Sequence, residues 1–74
     1  MREINRKKTG LRIYQQIDKA GYTIPEATRE MELSGNFVLY RWCSGYCLPQ
    51  VDKLFRLAEM CHCRMDDLIV VEEV

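Results

Sequence analysis

The chain of 74 residues contains no long hydrophobic segment. Even its longest apolar runs are short, such as the four residues from Leu68 to Val71. A helix needs roughly 20 apolar residues to cross a bilayer. The basic first residues, MREINRKKTG, are not followed by the apolar stretch that marks a secretory signal peptide. We therefore expect a cytoplasmic protein with no membrane partner.

The chain also lacks the residue groupings that carry catalysis. It has one histidine, His62, which stands next to Cys61 in sequence and so cannot form the usual nucleophile–base pair with it in space. The glycines are isolated, so no loop of the phosphate-binding type is present. Asp66 and Asp67 are adjacent, and we interpret them as capping or solvating a short helix. We expect that the protein is not an enzyme.

The cysteines form two pairs, Cys43-x3-Cys47 and Cys61-His62-Cys63. Structural zinc needs four ligands, usually in two spaced pairs; the first spacing fits loosely and the second poorly, because adjacent ligands rarely reach one ion. We interpret Cys61 and Cys63 as small core residues and expect Cys43 and Cys47 to be more exposed. No metal and no other cofactor is predicted.

Acidic residues are missing from one window of the sequence, Leu33 to Val51, although the net charge of the chain is zero. Residues 1–24 carry six Lys or Arg and two acids, whereas residues 25–74 carry five bases and nine acids. Because a carboxylate repels a nearby phosphate, an acid-free window is typical of a nucleic-acid-binding face. The alternative is a chance distribution in a short chain.

Hydrophobic residues make up 47% of the chain, which is enough for a folded core. Apolar positions recur at helical spacing almost throughout. This pattern predicts an all-α fold, a compact bundle of five short helices in one domain over residues 9–74, preceded by a flexible basic arm at residues 1–8. Thr9 is the predicted N-cap of the first helix, and Gly21 its end.

The second helix has a clear predicted start. Thr23 is a good N-cap, Pro25 suits a first turn, and Glu26 completes a capping-box pattern with Thr23. A short break at residues 34–36 then separates it from a third helix that runs to about Cys43. Two short helices joined in this way are typical of a helix-turn-helix.

The third helix has two distinct faces. Helical spacing places one set on the core side, namely Val38, Leu39 and Trp42. It places another on the outer side, namely Phe37, Tyr40, Arg41 and Ser44. The fourth helix has a strong apolar stripe that comprises Val51, Leu54, Phe55, Leu57, Ala58 and Cys61. His62 then occupies a position of positive φ, and a short fifth helix is expected from Met65 to about Val70, where the β-branched residues also fit a strand.

Four segments are similar to one known family: GYTIPEATREMELS, LYRWCSG, GYCLP and VDKLFRLAEMCHCRMDDLI. Trp42 is followed three residues later by Gly45 and four residues after that by Pro49, and then by an amphipathic helix with an acidic-Leu-Ile ending. From Leu11 to Ile69, about four fifths of the chain, the sequence resembles the lambda-repressor and Cro-like (Xre) helix-turn-helix domain. It departs from that pattern at Ile24 and Pro25, where the family usually has a polar residue.

The resemblance implies a sequence-specific, double-stranded DNA-binding regulator of repressor type, with the third helix in the major groove. The residues that it assigns to DNA binding are Thr23, Asn36, Phe37, Tyr40, Arg41, Ser44 and Tyr46. Arg41 suits a phosphate or a guanine edge, and Phe37 a thymine methyl group. Asn36 suits either an adenine or a helix cap. Lys7, Lys8 and Arg12 are expected to add positive charge along the DNA backbone.

Two questions stay open at this point. A small monomer of this kind would bind DNA weakly, so a homodimer on a palindromic site is expected. The tail from Ile69 to Val74 is a candidate for the dimer contact, or else for a last turn packed on its own domain. The exposed aromatic residues Phe37 and Tyr40 also fit an alternative function, a helix-turn-helix fold used as a protein–protein interaction module.

Overall fold

The structure, a computed structural model, describes residues 1–74. Its elements in chain order are β1 (Arg2–Ile4), α1 (Arg6–Lys19), α2 (Ile24–Glu30), α3 (Asn36–Cys43), α4 (Val51–Met60), a 3₁₀ turn (Met65–Leu68) and β2 (Val71–Glu73). The protein is thus a compact, mostly helical domain with four α-helices and a small two-stranded sheet. No helix is both long and apolar enough to span a membrane.

The two ends of the chain pair with each other. β1 runs antiparallel to β2, with Arg2 opposite Glu73, Glu3 opposite Glu72 and Ile4 opposite Val71. Residues 1–8, predicted as a basic arm, therefore contain β1 and the first turn of α1. The prediction of five helices in an all-α fold is wrong at this point. The expected fifth helix is only a short 3₁₀ turn, and Val71, the last residue of the apolar run after it, begins β2.

The first helix starts earlier than predicted. The side chain of Asn5 accepts a hydrogen bond from the backbone N–H of Lys8 at 2.9 Å and caps α1. Thr9, the predicted cap, is buried, and its hydroxyl accepts a hydrogen bond from the backbone N–H of Val70 at 3.0 Å. Thr9 was a plausible cap by residue type, but its hydroxyl instead joins α1 to the segment that leads into β2.

Other helix ends follow the sequence-based prediction. Thr23 and Glu26 form the reciprocal capping box. The hydrogen bond from the backbone N–H of Thr23 lowers the pKa of Glu26, and the hydrogen bond with the Thr23 side chain lowers it further. Gly21 after α1 has a φ of 89°, and His62 after α4 has a φ of 56°. Both predictions of a helix end with positive φ are confirmed.

The core is a single cluster contributed by all four helices and the 3₁₀ turn. Its members are Ile13, Ile17, Ile24, Ala27, Met31, Leu39, Trp42, Leu54, Leu57, Ala58, Cys61 and Leu68. Two residues of the predicted α4 stripe lie outside it, because Val51 is 75% exposed and Phe55 53% exposed. Val51 lines an apolar groove that reaches Ile4 of β1.

Thr28, on the inner face of α2, is buried, and its hydroxyl has no hydrogen-bond partner. A buried hydroxyl without a partner costs about 1–3 kcal/mol. We expect Thr28→Val, which keeps the shape and removes the polar atom, to raise the free energy of unfolding by about 1 kcal/mol. Urea denaturation measures this change. Thr23→Val, which removes a hydroxyl that caps α2, is the matched control and should lower the stability.

Candidate nucleic-acid interface

The predicted pair of helices is formed by α2 and α3, which pack against each other. Residues 31–35 connect them, and the turn is closed by the backbone N–H of Leu33, which donates to the carbonyl of Thr28 at 3.0 Å. Glu32 in this turn has a φ of 55°, a left-handed conformation that is uncommon outside glycine. The turn joins the two packed helices, and one side of α3 stays at the surface.

The predicted division of α3 into two faces is confirmed. Leu39 and Trp42 are buried in the core, and Val38 is half-buried. Phe37 and Tyr40 on the other side are 51% and 57% exposed. An exposed pair of large aromatic rings on one helix is costly to leave in water and therefore indicates a contact surface.

A close approach of α1 holds the C-terminal end of α3 in place. A Cβ atom added at Gly10 of α1 would lie 2.5 Å from the carbonyl oxygens of both Trp42 and Cys43. Only a residue without a side chain permits this approach. Gly10 lies three and seven residues before the buried Ile13 and Ile17, so its place on the core stripe was a signal that the sequence-based analysis missed.

Arg41 has a defined position on the exposed face. Its guanidinium carbon lies 5.2 Å from the ring centroid of Phe37, one turn earlier in α3, and 5.9 Å from that of Tyr46 in the following loop. Cation–π contacts at exposed sites are worth about 0.5–1 kcal/mol each. They limit the rotamers of Arg41 without using its five N–H donors, which stay available for a phosphate or a base.

The loop after α3 is built around Gly45. The hydroxyl of Ser44 donates to the carbonyl of Arg41 at 3.2 Å, and the backbone N–H of Tyr46 donates to the same carbonyl at 3.0 Å. Gly45 has a φ of 82°, and a Cβ atom there would lie 2.8 Å from the Cα of Lys7. The loop therefore packs directly on the first turn of α1, and the Tyr46 ring is 72% exposed beside it.

This packing brings a basic cluster next to the end of α3. The first turn of α1 carries Arg6, Lys7 and Lys8 and no acid, although the positive end of the helix dipole disfavours cations there. A guanidinium nitrogen of Arg6 lies 3.5 Å from the carbonyl oxygen of Tyr46. Arg6 was not among the predicted residues, because only the packing of Gly45 on Lys7 shows that this turn lies beside α3.

Arg12, the third basic residue that was expected to lie along the DNA backbone, is at a different place. Its guanidinium donates to the carbonyl of Asp67 at 3.1 Å. With Lys19 and His62 it lines a cleft of about 580 Å³ between α1 and the segment after α4. Of the three expected basic residues, only Lys7 and Lys8 belong to the cluster beside α3.

The N-terminal ends of α2 and α3 differ in what they offer to a ligand. The N-cap of α3 is Gly35, and no side chain caps this helix. The alternative that Asn36 is the cap is therefore wrong, and its amide stands in the first turn. Thr23 already takes part in the capping box of α2, where the carboxylate of Glu26 occupies the helix N-terminus. That carboxylate makes this end a poor site for a phosphate.

The acid-free window of the sequence covers α3 and the loops on both sides of it. The acids that border the window are Glu32, in the turn before α3, and Asp52, in the first turn of α4. Glu32 is turned toward Arg56 of α4, with 3.7 Å between their charged atoms. The exposed side of α3 therefore has no carboxylate of its own, and basic groups lie at its C-terminal end.

The cysteines do not contribute to this surface chemistry. All four are free thiols, Cys61 is buried, and the other three are half-buried against the core. The prediction that Cys43 and Cys47 are more exposed than the other two is confirmed against Cys61, which is buried, but not against Cys63, which is half-buried as they are. Burial raises the pKa of Cys43 and of Cys61 to about 11. No group of three or more His, Cys, Asp or Glu side chains is placed to hold a metal ion.

No protein-family model matches the chain, and no curated protein matches its sequence. The feature of the chain that bears on function is therefore the arrangement of the residues around α3. That arrangement combines an exposed aromatic pair, an oriented arginine and a neighbouring basic helix start on a face without acids.

Proposed function

We propose that the domain binds double-stranded DNA as a regulator of repressor type, with α3 in the major groove, as in the Xre helix-turn-helix family that it resembles. The observation that carries the proposal is the position of Arg41 between Phe37 and Tyr46 on a face that lacks acids. Lys7 and Lys8 extend the same face with positive charge.

The residues at the start of α3 are suited to base contacts. In this docking mode the N-terminal part of the recognition helix reaches deepest into the groove. Asn36 stands in that first turn without a capping role, and its amide matches the paired donor and acceptor of adenine. Phe37 and Tyr40 offer apolar surface, which suits a thymine methyl group. We assign sequence discrimination to this end of the helix.

The residues at the other end of α3 are suited to the DNA backbone. Arg41 lies in the last turn of the helix, so a phosphate is its better partner. Ser44, Tyr46 and the basic first turn of α1 surround the same place. Thr23 retains only its hydroxyl proton for a phosphate, because Glu26 occupies the helix end beside it. Affinity should therefore depend more on the α1–α3 side than on the α2 start.

A homodimer would supply the affinity that one small domain of zero net charge lacks. Few basic residues lie on the proposed face, so each copy releases few counterions on binding DNA. Two copies on the half-sites of a palindrome, about one helical turn apart, would add their contacts. The homodimer is part of the proposal and is tested by the symmetry of the bound DNA site.

Removal of the positive charge at Arg41 tests the proposal directly. We expect Arg41→Ala to weaken binding to a random-sequence duplex at low salt by about tenfold, because one phosphate contact is lost. The slope of log affinity against log salt should fall by about 1 for the same reason. Fluorescence anisotropy with a labelled duplex at several salt concentrations measures both quantities.

Arg64→Ala is the matched control, since it removes the same charge from an exposed side chain before the 3₁₀ turn. It should leave the affinity within about twofold of the unchanged protein. Equal loss in the two variants would mean that only net charge matters, and the proposed face would be rejected. Retention of full binding by Arg41→Ala would reject it as well.

The exposed aromatic residues favour a second candidate function, a protein–protein interaction module. Phe37, Tyr40 and Tyr46 are each more than half exposed, and aromatic rings are enriched in protein interfaces. The two functions differ in one simple measurement. A DNA-binding domain retains measurable affinity for nonspecific duplex at low salt, whereas a module that contacts only protein shows none.

A further inference from the structure

The terminal sheet has a free edge with unpaired backbone groups. The N–H of Asn5 donates to the carbonyl of Val70 at 2.8 Å, and the N–H of Val74 donates to the carbonyl of Met1 at 3.0 Å. Val70 and Val74 thus direct their backbone groups toward the first strand. In an antiparallel ladder, residues of this kind alternate with residues whose backbone groups point to the other side. The N–H and C=O groups of Val71 and Glu73 therefore point away from β1, along the outer edge of β2.

One face of this sheet is acidic. Glu3 and Glu72 stand directly opposite each other across the two strands, and like charges in that position repel. Neither carboxylate forms an ion pair within the chain. The only compensating contact is a hydrogen bond from the Asn5 amide to Glu72 at 3.0 Å. A positive charge placed beside Glu72 would relieve the repulsion.

The opposite face of the sheet carries Arg2 and Glu73 at one end and is apolar at the other. Ile4 and Val71 stand opposite each other there, and each is 42% exposed. Ile4 also borders a groove of about 290 Å³ between the sheet and the start of α4. Its walls are almost entirely apolar and comprise Ile4, Leu48, Pro49, Val51, Leu54 and Ile69.

We propose that the outer edge of β2 binds an extended segment of a partner protein in which basic and apolar residues alternate. The segment adds a third strand and takes up the free N–H and C=O groups of Val71 and Glu73. A basic side chain opposite Glu72 then lies on the acidic face. Because side chains alternate along a strand, its apolar neighbours lie on the other face, toward Val71. This surface is separate from α3 and does not depend on the DNA-binding proposal.

A second copy of the same chain does not fit this edge at neutral pH. Two-fold antiparallel pairing that aligns all three residues of β2 with those of a second copy would place Glu72 opposite Glu72. With Glu3 behind each of them, four carboxylates would stand in one row across the sheet. Like charges directly opposite each other destabilise a strand pair. In this register the charges favour a basic segment over an identical strand.

Two synthetic peptides of opposite charge test the proposal on the full chain. The first alternates valine and lysine over seven residues, and the second has glutamate in place of each lysine; both have blocked ends. In NMR titrations of isotope-labelled protein, the lysine peptide should shift the amide signals of Val71 and Glu73. The glutamate peptide should bind at least about tenfold more weakly.

A third peptide separates strand addition from simple charge attraction. It has the lysine sequence with N-methyl groups on the valine nitrogens, which are the ones that face Val71 and Glu73 when a lysine lies opposite Glu72. It keeps the charge but loses the donors that this ladder needs. We expect no shift of the Val71 and Glu73 signals with it. Equal binding of the methylated and unmethylated peptides would overturn the proposal.

Glu72→Lys should remove the preference between the lysine and glutamate peptides, because a lysine opposite Glu3 leaves that face with no net charge. Glu59→Lys makes the same change of charge at an exposed position of α4 and should leave the preference as it was. Self-association of the unchanged protein at neutral pH that is abolished by Glu72→Lys would identify a second copy as the occupant and overturn the proposal. Loss of preference in both lysine variants would show attraction by net charge alone and would overturn it too.

Discussion

Gly10→Ala should destabilise the domain by about 3 kcal/mol, although glycine to alanine inside a helix normally stabilises by about 0.5–1 kcal/mol. The reason is the close approach of α1 to the end of α3. The added methyl group would lie 2.5 Å from two backbone carbonyl oxygens, those of Trp42 and Cys43. Backbone atoms cannot turn aside as a flexible side chain can, so the two helices must move apart.

Urea denaturation measures the effect as a lower midpoint of unfolding. A domain of this size has a total stability of roughly 4–11 kcal/mol, so a large fraction of it would be lost. Gly21→Ala is the control for a change of backbone preference alone, because Gly21 has a φ of 89° and open space around it. It should cost about 1 kcal/mol. A Gly10→Ala variant as stable as the original would show that α1 and α3 are not held this closely.

Leu39→Ala is the other substitution with a large expected effect. Leu39 is fully buried at the centre of the inner face of α3, and truncation of such a leucine costs about 2–5 kcal/mol through lost burial and a cavity. In a small domain this change should leave a substantial population unfolded at physiological temperature. Thermal and urea unfolding followed by circular dichroism measure the loss.

Leu11→Ala is the matched control for Leu39→Ala, because Leu11 is 55% exposed on α1. The same truncation at this surface position should change the stability by less than about 1 kcal/mol. If the two variants lost equal stability, Leu39 would not be the residue that anchors α3. The comparison also separates effects on the fold from effects on binding, since neither residue belongs to the proposed DNA-contacting set.

The sequence predicted the helices most reliably where the chemistry is local. Apolar spacing at Leu54, Leu57 and Ala58 indicated α4, and the pairing of Thr23 with Glu26 indicated the start of α2. Caps and amphipathic stripes depend on residues within about one turn of each other. Such signals can be recognised in the sequence without knowledge of the rest of the fold, and the structure confirms these two.

The candidate interface was only partly predictable. Helical spacing correctly placed Phe37, Tyr40 and Arg41 on the exposed side of α3. It did not reveal the contact of Arg41 with Tyr46, nor that the start of α1 lies beside this loop. Both depend on how the chain turns at Gly45, which brings together residues about 40 positions apart in sequence.

The terminal sheet shows the same limit at the scale of the whole chain. Three-residue strands at opposite ends are too short to show a periodic pattern, and β2 is a strand because β1 supplies its hydrogen bonds. The exposure of Val51 and Phe55 was likewise decided by which neighbours α4 has, and not by its own apolar stripe.

The sequence by itself thus determined the four α-helices, the capping box of α2 and the two faces of α3, because local spacing controls hydrogen bonds and amphipathic character. Only the tertiary structure decided the basic cluster beside α3, the orientation of Arg41 and the closure of the chain ends into a sheet. Those features require contacts between residues far apart in sequence, whose free energies are realised only after the helices have packed.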